Sequence, residues 1–333
     1  MIRFGIAGFG LHAVKRLMPG FDHAKNCRVT ALSRRKMKAA RASAAEYKIP
    51  QAFDSIAAMA ASPEVDAVLV TTPNSCHLAD VMNVVDAGKH VLCEKPLGMN
   101  AEECRQMVEA AHKRGVQFGV AQVFRFNGSV RKFREMISAG KTGRPVFARS
   151  EFSFFADPSH PRTWLYNAAL AGAGPIFDVG VHCIDTLRFV LGDEVKRVSA
   201  SAGRDERSGD VESAAILTLE FAKGTIATVL VSYRAEYRTP LEIIGQHGVL
   251  RADDALNVEY PVEIELIRQS KVVERHSSSN ELAYALQVDA FADAIEGKAP
   301  FPISGEEGWR NQLILDAAMR SLKSGKAEEV PGL

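Results

Sequence analysis

Along the first third of the chain, short apolar runs alternate with stretches whose apolar positions recur at helical spacing. The runs at 3–7, 28–32, 67–70, 90–93 and 116–123 are short and mostly apolar, as expected of strands. Between them the spacing predicts helices over 12–17, 37–47, 54–61, from about 74 to 87, and over 101–114. The last has a capping box, Asn100-Ala101-Glu102-Glu103, in front and Gly115 behind. Strands alternating with helices in this way specify a parallel, doubly wound α/β sheet. From Pro145 the period changes to two. Strands are predicted at 146–155, 195–202, 214–221, 225–233, 241–245, 249–252, 262–268 and 272–276, with hairpin connections at Ala222-Lys223-Gly224 and Gln246-His247-Gly248. These make a large, open, mostly antiparallel sheet with one face covered. Helices over 281–296 and 306–324 follow, joined by Ala299-Pro300-Phe301-Pro302. The expected organisation is a doubly wound domain over 1–123 and an α+β domain over 124–333.

Composition narrows the function classes. The chain has 333 residues, 47% hydrophobic and 24% charged, with a formal net charge of +1, so nothing points to a nucleic acid or a membrane surface as partner. No apolar run approaches the roughly 18 residues of a spanning helix. The chain opens directly on a strand, leaving no room for a signal peptide. The five cysteines (Cys27, Cys76, Cys93, Cys104, Cys183) show neither a C-x-x-C pair nor zinc spacing, and read as free thiols of a cytoplasmic protein.

The first strand runs into Gly8-Phe9-Gly10-Leu11-His12-Ala13, a G-x-G-x-x-G/A pattern with Ala13 in the third place. Gly8 allows the tight turn, Gly10 lets backbone approach a pyrophosphate, and Ala13 lets helix pack on strand. The second strand ends in Ser33-Arg34-Arg35-Lys36, where an NAD-binding chain usually carries an acid for the ribose 2′-hydroxyl. With no acid there, Ser33 and Arg34 or Arg35 suit a 2′-phosphate, and NADP is expected, with NAD as the alternative. Thr72, Pro73, Asn74 and His77 end the fourth strand on the same rim, although Asn74 also suits a plain helix cap. Glu94-Lys95-Pro96 ends the next strand, where open α/β sheets bind ligands, and Pro96 stops the ladder.

A single helix interrupts the second-half strands. Glycines among Ala171-Gly172-Ala173-Gly174 precede Pro175, which suits the first helical position. Asp178, His182 and Asp185 fall at intervals of four and three on one face, with Phe177, Val181 and Ile184 on a core-like face. A histidine paired structurally to Asp178 or Asp185, an acid/base site, and a metal site are all open to that pattern. No third ligand of convincing spacing appears, so no metal is expected.

Together, the glycine loop, Thr72-Pro73-Asn74 with His77, the approach to Glu94-Lys95-Pro96 and the Gly172–Asp185 stretch resemble the glucose-fructose oxidoreductase / inositol dehydrogenase / rhizopine-catabolism (Gfo/Idh/MocA) family over nearly the whole chain. The resemblance implies a Rossmann domain plus an open-sheet domain and a bound nicotinamide cofactor. It also implies redox chemistry on a sugar-like or polyol substrate, and association through the sheet as a homodimer or homotetramer. It further implies that Lys95, Asp178 and His182 form the catalytic group. The cofactor set is then Gly8, Phe9, Gly10, Ser33, Arg34, Arg35, Thr72, Pro73, Asn74, His77, Glu94 and Lys95. The chain departs from the family pattern in a sparser glycine run, and its segment 155–164 is expected to wall the substrate. Relatives that use a trapped NAD for redox-assisted glycoside cleavage, or that have become dinucleotide-sensing regulators, are the alternatives to a dehydrogenase or reductase.

Overall fold

The computed structural model describes residues 1–156, 162–206 and 208–333. The chain forms two compact units, Met1–Gln122 with Tyr284–Trp309, and Val123–Ala283 with Arg310–Leu333.

In the first unit, six strands make a parallel sheet: β1 (Ile2–Ala7), β2 (Cys27–Ser33), β3 (Gln51–Phe53), β4 (Ala67–Val70), β5 (His90–Cys93) and β6 (Phe118–Val120). Their order, β3-β2-β1-β4-β5-β6, is the doubly wound one, and it reverses between β1 and β4. β4 is buried along its whole length, as its unbroken apolar run requires. β3 has no such run. It forms as an edge because the helix Met37–Glu46 returns the chain beside β2, where Ala31 pairs with Gln51. The first helix does not stop near residue 17. It continues through a wide π-type turn, Ala13–Leu17, into Met18–His23, whose first turn accepts Pro19 because no N–H is needed there. At Asn100 the capping box shifts by one residue. The Asn100 side chain accepts the Glu103 N–H (3.0 Å), while Glu103 accepts from the Met99 N–H (2.9 Å) rather than from Asn100.

The segment 284–309, grouped with the second half by sequence period, belongs to the first unit. Phe291 packs on Phe4 (6.2 Å between centroids) and on Phe301 (5.1 Å). The Val120 N–H donates to the Ile303 carbonyl (3.0 Å), so the outer edge of β6 is covered. Gly119 is required beneath this cover, since a Cβ there would lie 2.6 Å from the Phe301 ring.

The second unit is built on a ten-stranded sheet. Its strands are β7 (Pro145–Phe155), β8 (Val195–Gly203), β9 (Ala214–Phe221), β10 (Ile226–Ser232), β11 (Arg234–Arg238), β12 (Leu241–Gly245), β13 (Val249–Ala252), β14 (Val262–Arg268), β15 (Lys271–Ser278) and β16 (Glu328–Glu329). Among the described residues, all pairings in this sheet are antiparallel except β7 with β10. Both predicted hairpins form, β9 to β10 and β12 to β13. β11 was not read from the sequence, because it is five residues long, three of them charged, and every one is exposed. The helix Gly128–Ser138 was also missed, although Val130, Phe133 and Met136 are its buried stripe. The helix Val181–Leu191 packs on β7 and covers one sheet face. The other face leaves Phe147 51%, Ile226 44% and Ile216 52% exposed, and Phe147 and Ile226 are direct partners across β7 and β10. Among the described residues, no helix is long and apolar enough to cross a membrane.

Candidate active site

In the first unit the rim forms where β1, β4 and β5 end. Gly8 has φ +77°, and a Cβ there would come within 2.8 Å of the Thr72 methyl and 3.1 Å of the Thr72 nitrogen, so both conformation and space demand glycine. Gly10 differs. A Cβ on it would meet only the Gly8 carbonyl, at 3.5 Å, so protein packing does not require a glycine there and the space is left for a ligand. The helix that follows turns its first amides and positive dipole end toward that space, which fits a pyrophosphate. Phe9 sends its ring into the core, 5.3 Å from Tyr47, and donates its N–H to the Ser33 carbonyl (3.0 Å). Its side chain is therefore part of the core. Ser33 is buried at the end of β2, and Arg34 and Arg35 are exposed just beyond it. The Arg34 guanidinium donates to Ser43 Oγ (2.8 Å), which steers it along the helix Met37–Glu46. No carboxylate stands at residues 33–36.

Thr71 donates its hydroxyl to the Ala7 carbonyl (2.8 Å), and Thr72 donates to Asp80 Oδ2 (2.6 Å), so the end of β4 is fixed to the glycine loop and to the next helix. Asn74 is buried at the start of the turn Asn74–Cys76, and Pro73 holds the flanking cap position. His77 is a correction. Its ring is wholly buried, with Nε2 2.9 Å from the Thr72 carbonyl and Nδ1 3.0 Å from the Pro96 carbonyl. Burial pulls its pKa down. An enclosed ring held between two carbonyls cannot reach a cofactor. It ties the loop after β4 to the turn after β5.

Glu94 ends β5 with its carboxylate 2.9 Å from His12 Nε2, and its other oxygen accepts the Lys95 N–H (3.3 Å). Burial pushes the Glu94 pKa up most strongly, but His12 and Lys95 together hold it below the usual carboxylate range. Glu94 thus joins the glycine loop to the strand end that carries the half-buried Lys95. His12 was not singled out from the sequence. Its only signal is a titratable residue inside the phosphate motif, immediately before Ala13.

In the second unit, Pro175 leads into a wide π-type turn, Ile176–Gly180, followed by the helix Val181–Leu191. Such turns recur at functional sites. Asp178 is buried, and the Tyr233 hydroxyl donates to its Oδ2 (3.1 Å). Burial first, and Asp178 second, push the Tyr233 pKa far up, so the phenol stays protonated. His182 is buried with its ring edge-on to Phe124 (4.6 Å) and stacked on Phe152 (6.1 Å). Asp185 is engaged elsewhere. Arg125 grips it through two bonds (2.6 and 2.8 Å), and Asn311 donates to it (2.8 Å). Phe177, Val181 and Ile184 are core, as their spacing predicts. Tyr233 ends a strand and carries no motif, so only the structure reveals its partner. Of the expected substrate wall, residues 157–161 lie outside the described residues. Among the described residues no group of three or more His, Cys, Asp or Glu could hold a metal ion.

Comparison with known proteins agrees with both halves. A family model for oxidoreductases with an NAD-binding Rossmann fold matches residues 2–122, and one for the GFO/IDH/MocA C-terminal domain matches residues 130–251. The chain is 31% identical to the 1,5-anhydro-D-fructose reductase of Ensifer adhaerens over 99% of each sequence. It is also 31% identical to D-xylose 1-dehydrogenase (NADP(+)) 2 of Haloferax volcanii, over 98% of this chain and 99% of that one. Among solved structures, aldose-aldose oxidoreductase from Caulobacter crescentus, complexed with glycerol, superposes with a TM-score of 0.88 at 23% identity, over 98% of this chain and 99% of that one. With the glycine cradle, the strand ends and both domain matches in agreement, the chain belongs to the Gfo/Idh/MocA family and is an NAD(P)-dependent oxidoreductase acting on CH–OH groups.

Proposed function

We propose that this enzyme moves a hydride between NADP(H) and a carbonyl or hydroxyl-bearing carbon of a sugar or polyol, with Lys95, Asp178 and His182 acting at that carbon. The observation that carries the reading is the buried turn on which Asp178, bonded by Tyr233, precedes His182, enclosed by Phe124 and Phe152. An acid/base pair held away from water suits proton transfer to a substrate oxygen. The bound nicotinamide supplies the hydride in reduction and accepts it in oxidation. In reduction, negative charge grows on the carbonyl oxygen as its carbon takes the hydride. The Lys95 ammonium stabilises that charge, and His182 delivers the proton that makes the hydroxyl. Asp178 orients His182 or a neighbouring substrate hydroxyl, and oxidation reverses each step. The substrate class is supported by the relatives' names, a 1,5-anhydro-D-fructose reductase and a D-xylose dehydrogenase. Gly8 and Gly10 make room for the pyrophosphate, while Thr72, Pro73 and Asn74 flank the cofactor.

NADP is favoured by Ser33, Arg34 and Arg35 standing where a ribose-binding carboxylate would otherwise be. The half-exposed Phe147, Ile216 and Ile226 support association of copies through the open sheet face, as a homodimer or homotetramer. Five unbridged cysteines suit the cytoplasm.

Titration of the purified protein with NADPH and with NADH, followed by nicotinamide fluorescence, tests the cofactor assignment. NADPH is expected to bind at least about tenfold tighter. Arg34→Ala with Arg35→Ala should remove that preference, since a charged hydrogen bond contributes about 1.5–3 kcal/mol. Preference for NADH, or a cofactor retained through purification, would instead favour redox-assisted glycoside cleavage. Binding without turnover of any sugar or polyol would favour a dinucleotide-sensing regulator.

A further inference from the structure

Glu212 takes no part in the hydride step, yet it is a buried carboxylate, 5% exposed, on the connection between β8 and β9. Its two oxygens accept the Gly174 N–H (3.1 Å) and the Ile176 N–H (3.0 Å). Those amides belong to the start of the helix that carries Asp178 and His182, where they lack intrahelical acceptors and the dipole end is positive. The approach is close enough to demand glycine at 174, because a Cβ there would collide with the Glu212 carbonyl oxygen and meet the Val211 side chain at 3.1 Å. Burial raises the Glu212 pKa, the cost of enclosing the charge, and the two amides offset part of it. A serine or asparagine would cap one amide at lower cost. The carboxylate spans two.

The next residue extends the grip. Ser213 donates its N–H to the Gly203 carbonyl (2.9 Å) and accepts the Tyr233 N–H (2.8 Å). The Tyr233 hydroxyl in turn donates to Asp178 (3.1 Å). Two consecutive residues therefore hold the turn Ile176–Gly180 from both sides, at its backbone entry through Glu212 and at the Asp178 carboxylate through Tyr233.

We propose that Glu212 is a positioning residue for the reaction, fixing the turn Ile176–Gly180 so that Asp178 and His182 keep one orientation toward the substrate. The assignment of Asp178 and His182 rests on the proposed function; the grip itself does not. The test is Glu212→Gln, which keeps size but sets an NH2 group against one of the two amides. Hydrogen exchange on wild type and variant should show the Gly174 and Ile176 amides exchanging at least tenfold faster, with the remaining strands unmoved. In stopped-flow single turnovers with NADPH and 1,5-anhydro-D-fructose, the rate constant of nicotinamide fluorescence loss should fall about tenfold. Amplitude and NADPH affinity should be retained. A merely structural residue would lower the amplitude, the folded fraction, and not the rate constant. Unchanged exchange, or faster exchange with a rate constant within twofold of wild type, overturns the proposal. Should Glu212→Gln not fold, Tyr233→Phe removes the other side of the grip by one oxygen, with the same rate-constant criterion. A wild-type protein inactive on sugars and polyols would defeat the proposed function, while exchange would still decide the grip.

Discussion

Replacing His182 by alanine should lower kcat by about 10²–10⁴-fold, the usual contribution of a positioned general acid or base, and leave the NADPH dissociation constant within about twofold. The asymmetry follows from where the groups reside. The glycine cradle, the strand ends and Arg34 belong to the first unit, while His182 belongs to the second. The side chain is enclosed by Phe124 and Phe152, so truncation also leaves a cavity and some loss of stability is expected. Steady-state kinetics on the folded fraction, beside a fluorescence titration with NADPH, separate the two effects. A parallel loss of turnover and cofactor affinity would mean that His182 serves packing, and the acid/base role would pass to Lys95.

How much of this was readable beforehand depends on what kind of force positions each residue. Gly8 was legible because its positive φ and the nearby Thr72 demand glycine, and Gly10 and Ala13 came with it through the spacing of the motif. The alternation of apolar strands and helices was legible because burial dictates period. Phe9 and His77 were read from their place in a motif, and motif position does not tell which way a side chain points. In the structure one ring enters the core and the other bridges two carbonyls. Glu212 and Tyr233 were invisible for a related reason. Each meets its partner across more than thirty residues of chain, |i−j| 38 and 36 for Glu212 and 55 for Tyr233, with no local signature. β11 escaped because its short run holds only two apolar residues, Ala235 and Tyr237, both exposed, and 284–309 was grouped with the second half because a helical pattern names no neighbour.

Asp178 and Asp185 share one helical segment and look equivalent in the sequence, yet they should respond to substitution in opposite ways. Asp185→Ala should destabilise the protein by about 3–5 kcal/mol, since it removes the bidentate carboxylate from the buried Arg125 guanidinium. That guanidinium is 7% exposed in its side chain, has lost its bidentate partner in the variant, and retains the Phe189 ring 5.4 Å away. Asn311 loses an acceptor as well, and it also receives the Arg188 bond (2.8 Å) that helps orient the Arg188–Glu194 pair. Against a typical total of about 5–15 kcal/mol, such a loss could leave a large unfolded fraction at 37 °C. Urea unfolding measures it, and the double variant Asp185→Ala with Arg125→Met should recover part of the loss, because removing both charges leaves neither buried without the other. A loss under about 1 kcal/mol in the single variant would show that the buried pair contributes little. The decisive contrast is kinetic. In Asp185→Ala the single-turnover rate constant should stay near wild type while amplitude falls with the folded fraction, whereas in Asp178→Asn the rate constant itself should fall, because in the proposed function that carboxylate orients His182 or a substrate hydroxyl.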